Sequence, residues 1–257
     1  HASIDDPRVD RVRFLRPQEI PSYLERGLFD LGITGRDWIT ETGADLASLG
    51  ELKYSKVTAN PVRVVLAVPE AAPWRSVADL PEGIRISTEL PALTSRYLEV
   101  HGIKAMVVPS YGATEAKVPD IVDAIVDLTE TGSSLRRNGL RILDTLLASY
   151  TELVANVAAY EDAGKRAAME DIALLLRGAI EARANVLLKL NVSAAELGAV
   201  TDMLPALSSP TITTLARGDM HAVETVVPKH SVNTLIPALK AAGARDILEI
   251  PISKIVD

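Results

Sequence analysis

Residues 121–140 read IVDAIVDLTETGSSLRRNGL, and this stretch decides the predicted fold. Its first eight residues are mostly apolar and rich in β-branched side chains, which is typical of a strand buried on both faces of a parallel sheet. Residues 129–134 are polar and contain one glycine, and Leu135 begins the pattern of a helix. The stretch therefore predicts a strand, a short polar loop and a helix.

The polar loop at residues 129–134, here called the phosphate loop, has the composition of an anion-binding site. Small residues let a ligand approach the backbone, successive N–H groups can converge on phosphate oxygens, and a helix N-terminus adds a favourable dipole. Asp127 and Glu130 would repel a bare phosphate, but they suit a ligand that carries sugar hydroxyls or magnesium beside its phosphate. On pattern alone, an ordinary strand–turn–helix unit without a ligand is an alternative.

The composition argues against several classes of protein. The chain has 257 residues, 47% of them hydrophobic but only 4% aromatic, which suits two or three modules with aliphatic cores. The net charge of -7 argues against general nucleic-acid binding, and the absence of cysteine excludes disulfides and thiolate metal sites. The four histidines show no metal-ligand spacing. Since no apolar run reaches the ~18 residues of a membrane span, we expect a cytoplasmic protein that binds neither nucleic acid nor membrane.

Three stretches, in the same order, resemble the ATP phosphoribosyltransferase family of histidine biosynthesis. They are DLGITGRD at residues 30–37, VDAIVDLTETGSSL at residues 122–135 and LSSPTI at residues 207–212. The resemblance covers essentially the whole chain. It implies transfer of phosphoribose from phosphoribosyl pyrophosphate to N1 of the adenine of ATP, which gives phosphoribosyl-ATP and pyrophosphate in the first step of histidine biosynthesis.

The resemblance also implies the residues of a catalytic site. Asp127 and Glu130 would act near the ribose hydroxyls, and magnesium would be carried mostly by the phosphates of the substrate rather than by a dedicated protein site. The implied contacts of phosphoribosyl pyrophosphate are Glu115, Asp127, Thr129, Glu130, Thr131, Gly132, Ser133 and Ser134. The implied contacts of ATP and the cleft are Arg16, Thr34, Gly35, Asp37 and Leu90. The family often has an aromatic residue near Leu90, so an apolar contact with adenine would remain but ring stacking would not.

For the catalytic part, the resemblance implies an α/β fold with two lobes, like that of type II periplasmic binding proteins. Lobe I would comprise residues 1–69 and 156–184, and lobe II, with the phosphate loop, would comprise residues 70–155. The family's first strand and helix have no counterpart here, so we expect them to be missing from this chain. Residues 12–15 are predicted to form a short strand and residues 18–26 a helix.

Residues 185–257 have a different pattern. Their predicted order is strand, helix, two strands, helix and strand, the βαββαβ order of ferredoxin-like regulatory modules. In the resembling family, a third domain of this kind characterises the long form and binds histidine as a feedback inhibitor. The implied histidine contacts are Asn191, Leu207, Ser209, Thr211 and Asp246. The family often has Asp at the position of Asn191, so attraction to the histidine ammonium would be weaker here.

The resemblance further implies a homo-oligomer that assembles from dimers to hexamers, with ATP, phosphoribosyl pyrophosphate, histidine and AMP as ligands. Two alternatives stay open at this point. One is a solute-binding or sensor module with the same two-lobed fold and no chemistry, because one fold can host many functions. The other is a truncated, catalytically silent member of the family.

Overall fold

The computed structural model describes residues 4–53, 61–205, 209–216 and 218–256. The chain divides into two compact units, His1–Asp171 and Ile172–Asp257. Among the described residues, the first unit holds two sheets and the second unit holds one. In this part of the chain, no helix is both long enough and apolar enough to span a membrane.

The first unit and the helix that leads out of it contain the following elements: α1 (Ile20–Glu25), β1 (Leu31–Gly35), α2 (Arg36–Thr42), β2 (Leu46–Leu52), β3 (Val62–Pro69), β4 (Ile84–Thr88), α3 (Pro91–Val100), β5 (Ala105–Pro109), β6 (Ala124–Thr129), α4 (Ser133–Arg137), β7 (Leu140–Ser149), β8 (Thr151–Asn156), α5 (Val157–Glu161) and α6 (Ala163–Arg183). The second unit continues with β9 (Asn185–Ser193), α7 (Leu197–Asp202), β10 (Thr211–Thr214), β11 (Met220–Pro228), α8 (Val232–Ala241) and β12 (Arg245–Pro251).

The two sheets of the first unit form the predicted two-lobed α/β architecture. The three-stranded sheet is antiparallel, with the order β1-β8-β2. The five-stranded sheet has the order β5-β4-β6-β3-β7. Strand β6, predicted from residues 121–128, lies at its centre, and Ala124, Ile125 and Val126 are fully buried. Its neighbour β4 is parallel but β3 is antiparallel, so the sheet is mixed rather than purely parallel.

Strand β3 explains why the core is aliphatic. Val64, Leu66 and Val68 pack in one apolar cluster, and Val65 and Ala67 pack in another. Successive residues of a strand point to opposite faces of a sheet, so β3 is covered on both faces and all five side chains are excluded from solvent. Small aliphatic residues suit a strand that is enclosed in this way.

The sheet pairing differs from the predicted lobe boundaries at two strands. Strand β3, expected in lobe I, pairs with β6 and β7 of the five-stranded sheet. Strand β8, mostly expected in lobe II, pairs with β1 and β2. The long antiparallel pairing of β3 with β7 keeps both strands in one sheet, so the chain changes lobes before β3 and again after β7. This corrects the boundaries near residues 69 and 155.

The N-terminal part of the first unit also differs from the expectation. Residues 12–15 do not form a strand, and only residue 12 makes an isolated bridge. Phe14 is 87% exposed, so burial does not favour an extended segment there. The predicted helix at residues 18–26 is the shorter α1. Strand β2 was not predicted, because Gly50, with φ 103°, and a register shift beside it interrupt its pattern.

The second unit has the predicted βαββαβ order. Its strands form one antiparallel sheet with the order β10-β11-β9-β12, the arrangement of a ferredoxin-like fold. Leu188, Leu190 and Val223 from the strands pack with Val200 of α7 and Leu239 of α8. Both helices therefore cover the same face of the sheet.

Candidate active site

The phosphate loop is a tight turn at the carboxyl edge of the five-stranded sheet. Because β4 and β6 are parallel, their carboxyl ends meet at this edge, where α/β proteins place ligands. Gly132 adopts φ 71° just before α4, and its N–H donates to Thr129 Oγ1 at 2.8 Å. Thr131 Oγ1 donates to Ser133 Oγ at 3.1 Å. The Ser133 N–H also donates to Thr131 Oγ1, at 3.4 Å. These contacts shape the loop without a ligand, and they place its hydroxyls next to the first turn of α4.

A second segment brings a carboxylate to this loop. Residues Thr114–Lys117 form a single 3₁₀ turn that follows β5. Ser134 Oγ donates to Glu115 Oε1 at 2.7 Å. The structure thus brings Glu115 to the phosphate loop, where the resemblance places it, although Glu115 and Ser134 are 19 positions apart.

Asp127 lies between carboxylates. It is half-buried in β6, and its pKa is raised to about 6, mainly by burial and to a smaller extent by Glu115 and Glu89, while a hydrogen bond from the Leu128 N–H opposes the rise. That hydrogen bond joins Leu128 N to Asp127 Oδ1 at 2.7 Å. A ligand that brings hydroxyl donors or positive charge would relieve the repulsion.

Glu89 is a member of this acidic group that the sequence interpretation missed. It directly follows β4, so its position at the carboxyl end of a parallel strand was the available signal. Carboxylate oxygens are suitable magnesium ligands, yet within the described ranges no group of three or more His, Cys, Asp or Glu residues could hold a metal ion.

The predicted cleft residues of the three-stranded sheet have structural hydrogen bonds. Thr34 is buried, and its Oγ1 donates to the Pro17 carbonyl at 2.9 Å. Asp37 is also buried, and its Oδ1 accepts from Ser149 Oγ at 2.7 Å. A Cβ on Gly35 would lie 2.0 Å from Asp37 Oδ1, so only glycine leaves this carboxylate in place. Arg16, in contrast, is exposed. Thr34 and Asp37 fix the shape of this edge, and Arg16 is available to an anion.

Leu90 differs from its predicted role. It is only 1% exposed and belongs to the core under β4 and α3. A side chain enclosed in this way offers no surface to an adenine ring, so the structure does not support the predicted contact.

Helices α2 and α3 form hydrogen bonds between the two lobes. Glu41 at the end of α2 accepts hydrogen bonds from Ala92 N at 3.0 Å and Leu93 N at 2.7 Å, the first turn of α3. Arg96 of α3 donates to the carbonyl of Thr40. A carboxylate at a helix N-terminus satisfies donors that have no partner within the helix. Glu41 was not predicted, because its partners are about fifty residues away in the sequence.

The predicted histidine contacts lie in the second unit. Asn191 Nδ2 donates to Asp246 Oδ2 at 2.9 Å, and Asp246 adopts φ 50° beside a register shift in β12. Thr211 and Ser209 are exposed at and before β10, two strands away from β9. Leu207 lies outside the described residues. The structure thus joins Asn191 to Asp246 and leaves Thr211 and Ser209 roughly 10 Å across the sheet.

Comparison with known proteins gives the family. A family model described as ATP phosphoribosyltransferase matches residues 16–178, and one described as HisG, C-terminal domain, matches residues 182–254. The ATP phosphoribosyltransferase of Chlorobium phaeovibrioides is 49% identical over 255 residues, which cover 99% of this chain and 86% of that relative. The chain belongs to the ATP phosphoribosyltransferase family.

Other ATP phosphoribosyltransferases are similar to this chain to the same degree. Those of Pelotomaculum thermopropionicum and Solibacter usitatus are 47% and 50% identical and cover 99% and 98% of this chain, with 87% of each relative covered. A solved ATP phosphoribosyl transferase (HisG:HisZ) complex from Thermotoga maritima matches with a TM-score of 0.57 and 34% identity, covering 65% of this chain and 78% of that chain.

Family membership confirms the predicted function. An ATP phosphoribosyltransferase joins phosphoribose from phosphoribosyl pyrophosphate to ATP, and this reaction belongs to histidine biosynthesis. The two matching family models also confirm a long chain with a separate C-terminal domain. The enzyme interpretation is thereby favoured over a solute-binding or sensor module.

Proposed function

We propose that the phosphate loop, Asp127 and Glu115 form the phosphoribosyl pyrophosphate site of this enzyme. The observation that carries the proposal is the 2.7 Å hydrogen bond between Ser134 Oγ and Glu115 Oε1. It brings a carboxylate, which suits sugar hydroxyls, onto a loop whose N–H groups and hydroxyls suit a phosphate. A bound phosphoribose offers both groups.

In this proposal the chain works by positioning. N–H groups and hydroxyls of residues 131–134 hold the 5-phosphate, while Asp127, Glu130 and Glu115 accept hydrogen bonds from the ribose hydroxyls. The anomeric carbon is then fixed in line with N1 of adenine, and no covalent nucleophile is required. Magnesium on the substrate's phosphates supplies charge neutralisation for the leaving pyrophosphate. Arg16, Thr34, Gly35 and Asp37 line the ATP side.

Glu130→Gln tests the carboxylate in the loop. We expect kcat to fall by about tenfold or more, because a neutral amide is a weaker acceptor for a ribose hydroxyl, while the free energy of unfolding changes by less than about 0.5 kcal/mol. Steady-state kinetics and urea unfolding measure the two quantities. Glu99→Gln, at an exposed position in α3, is the matched control. Unchanged turnover in Glu130→Gln would contradict the role of Glu130.

We further propose that the second unit binds histidine as a feedback inhibitor. Asp246 would accept a hydrogen bond from the histidine ammonium, and Asn191, Ser209, Thr211 and Leu207 would complete the pocket. The contact between Asn191 and Asp246 supports this assignment, because it places a carboxylate and an amide side by side. Assembly from dimers to hexamers, AMP as a further ligand and a cytoplasmic location complete the proposal and rest on the family resemblance.

Asp246→Asn tests the inhibitor site. The histidine concentration that halves activity should rise by about tenfold or more, because the variant loses a charge-assisted hydrogen bond. Turnover without histidine should stay within about twofold of the wild type. Activity assays with increasing histidine give both values. Glu249→Gln, exposed on the same strand, should respond like the wild type, and equal histidine sensitivity in Asp246→Asn would overturn the assignment.

A further inference from the structure

Lys117 has an unusual environment at the carboxyl edge of the five-stranded sheet. Its Nζ donates to Ser110 Oγ at 2.6 Å and contacts Ser87 Oγ at 3.4 Å. Both hydroxyls are buried, and Lys117 itself is half-buried. Among the residues that the structure describes, no carboxylate lies within ion-pairing distance of this ammonium.

A half-buried ammonium without a carboxylate is costly. Lysine loses hydration there, and two neutral hydroxyls compensate it only in part. The environment therefore points to a role for Lys117 other than packing.

Ser110 joins both ends of the Thr114–Lys117 turn. Thr114 Oγ1 lies 2.8 Å from Ser110 Oγ, the same atom that accepts from Lys117 Nζ. Ser110 directly follows β5, and its N–H donates to the Thr88 carbonyl at the end of β4 at 2.7 Å. The turn is thus tied at its first and last residues to a rigid part of the sheet.

Glu115 lies between these two anchors. Its carboxylate reaches Ser134 of the phosphate loop. Inside the turn the backbone contributes the bond from the Ala116 N–H to the Ala113 carbonyl, at 3.2 Å, and Ala113 adopts the left-handed conformation with φ 49°. The Lys117 carbonyl also accepts from the N–H groups of Ile121 and Val122, at 2.9 and 3.2 Å. A single 3₁₀ turn has poor hydrogen-bond geometry of its own. The side-chain contacts of Thr114 and Lys117 with Ser110 therefore add to these backbone bonds in holding the turn that carries Glu115.

We propose that Lys117 is a positioning residue for phosphoribosyl transfer: its ammonium ties the turn to Ser110 and Ser87 and so holds Glu115 against Ser134. Lys117 acts through Glu115 and does not touch the substrate. The inference rests on the proposed role of Glu115 in binding phosphoribosyl pyrophosphate.

A double-mutant cycle on the full chain tests this inference. In Lys117→Met, the KM for phosphoribosyl pyrophosphate should rise by about tenfold, as expected for a lost hydrogen bond to a charged group, while the KM for ATP stays within about twofold. Glu115→Gln should give a similar change. Because both variants disrupt the same contact, the double variant should be no worse than the more severe single variant. Lys117→Arg should recover part of the loss, since a guanidinium can still donate to the hydroxyls.

Two further variants provide a control for the loss of a lysine and a test of the second anchor of the turn. Lys104→Met removes an exposed lysine that pairs with Glu82 at 3.1 Å, and it should leave both KM values unchanged. Thr114→Val removes the other anchor of the turn and should also raise the KM for phosphoribosyl pyrophosphate. If Lys117→Met does not fold, Lys117→Ala takes its place in the cycle with the same expected rise. Thermal unfolding of every variant identifies those that are folded.

The outcomes distinguish a failure of the proposed role of Lys117 from a failure of the proposed role of Glu115. If Glu115→Gln leaves the KM for phosphoribosyl pyrophosphate unchanged, the proposed role of Glu115 fails, and the inference fails with it. Two results would overturn the positioning role of Lys117 and leave the proposed role of Glu115 intact. In the first, Glu115→Gln raises this KM but Lys117→Met does not. In the second, both variants raise this KM and the double variant shows the product of the two increases. The inference is supported if both single variants raise this KM and the double variant raises it no more than the more severe single variant does.

Discussion

Asp127→Asn is expected to unfold less readily than the wild type at neutral pH and to be nearly inactive. Burial and, to a smaller extent, repulsion from Glu115 and Glu89 raise the pKa of Asp127 from 3.8 to about 6. About two pKa units correspond to roughly 2 to 3 kcal/mol of instability in the ionised form, as an upper estimate. Asparagine keeps the shape without the charge. The variant should therefore gain up to about 2 kcal/mol in the free energy of unfolding at pH 7.5.

The pH dependence has a definite sign. Since the pKa of Asp127 in the folded protein is about 6, above its ordinary value of 3.8, the native state binds a proton more readily than the unfolded chain in that window. The contribution of Asp127 to stability therefore improves as the pH falls from 6 towards 4 and is least favourable above 6. The advantage of Asp127→Asn in urea unfolding should be largest above pH 6 and disappear near pH 4.

The same substitution should lower kcat by about 100-fold or more, because the carboxylate is proposed to accept from a ribose hydroxyl and to lie near the cation on the leaving group. Asp123→Asn is the matched control. Hydrogen bonds from Arg85 hold the pKa of Asp123 below its usual value, so that variant should lose stability, not gain it, and keep its turnover. An Asp127→Asn protein with wild-type turnover would contradict the site, and one that is less stable at pH 7.5 would contradict the electrostatic explanation.

Gly132→Ala is expected to weaken binding of phosphoribosyl pyrophosphate by about 10- to 100-fold, because the strained loop would relax away from its binding shape. Gly132 has φ 71°, in the left-handed region that costs other residues roughly 1 to 2 kcal/mol. A Cβ there would also lie 3.1 Å from Arg136 Nη1 and 3.4 Å from Ile142 Cδ1. The KM for phosphoribosyl pyrophosphate and the equilibrium affinity measure the change.

Gly139→Ala is a close control for this variant. Gly139 has φ 69°, but no atom lies within 4 Å of the position that its Cβ would take. Both substitutions therefore introduce the same backbone strain, at opposite ends of α4. Urea unfolding should show a comparable loss for both, roughly 1 to 2 kcal/mol, whereas only Gly132→Ala should lose affinity.

Local patterns predicted the centre of the fold. The apolar run before Asp127 and the polar residues after it specify β6, the phosphate loop and α4, because each element depends on neighbours in sequence. The βαββαβ order of residues 185–257 was predictable for the same reason. Strand pairing was not predictable, because β3 and β8 are apolar enough for either sheet. Only the observed pairings, β3 with β7 and β8 with β1 and β2, decide where each strand belongs.

The candidate site shows the same division. Glu115 and the loop were predicted through a resemblance that includes both, but the contacts of Lys117 with Ser87 and Ser110 join residues that meet only after β4 and β5 align in register. Asp37 was predicted as a site residue, but its structural hydrogen bond was not. Its position after a strand suggests a ligand contact, and in the fold its Oδ1 also accepts a hydrogen bond from Ser149 Oγ. The residue type alone does not show whether a polar side chain contacts a ligand or forms a structural hydrogen bond.

Calorimetric titration of phosphoribosyl pyrophosphate with magnesium into the wild type, Gly132→Ala and Gly139→Ala is the most direct test of the phosphate loop as the substrate site. We predict binding to the wild type and to Gly139→Ala with affinities within about twofold of each other, and binding to Gly132→Ala that is at least about tenfold weaker. Equal affinity in all three folded proteins would contradict the assignment of the loop.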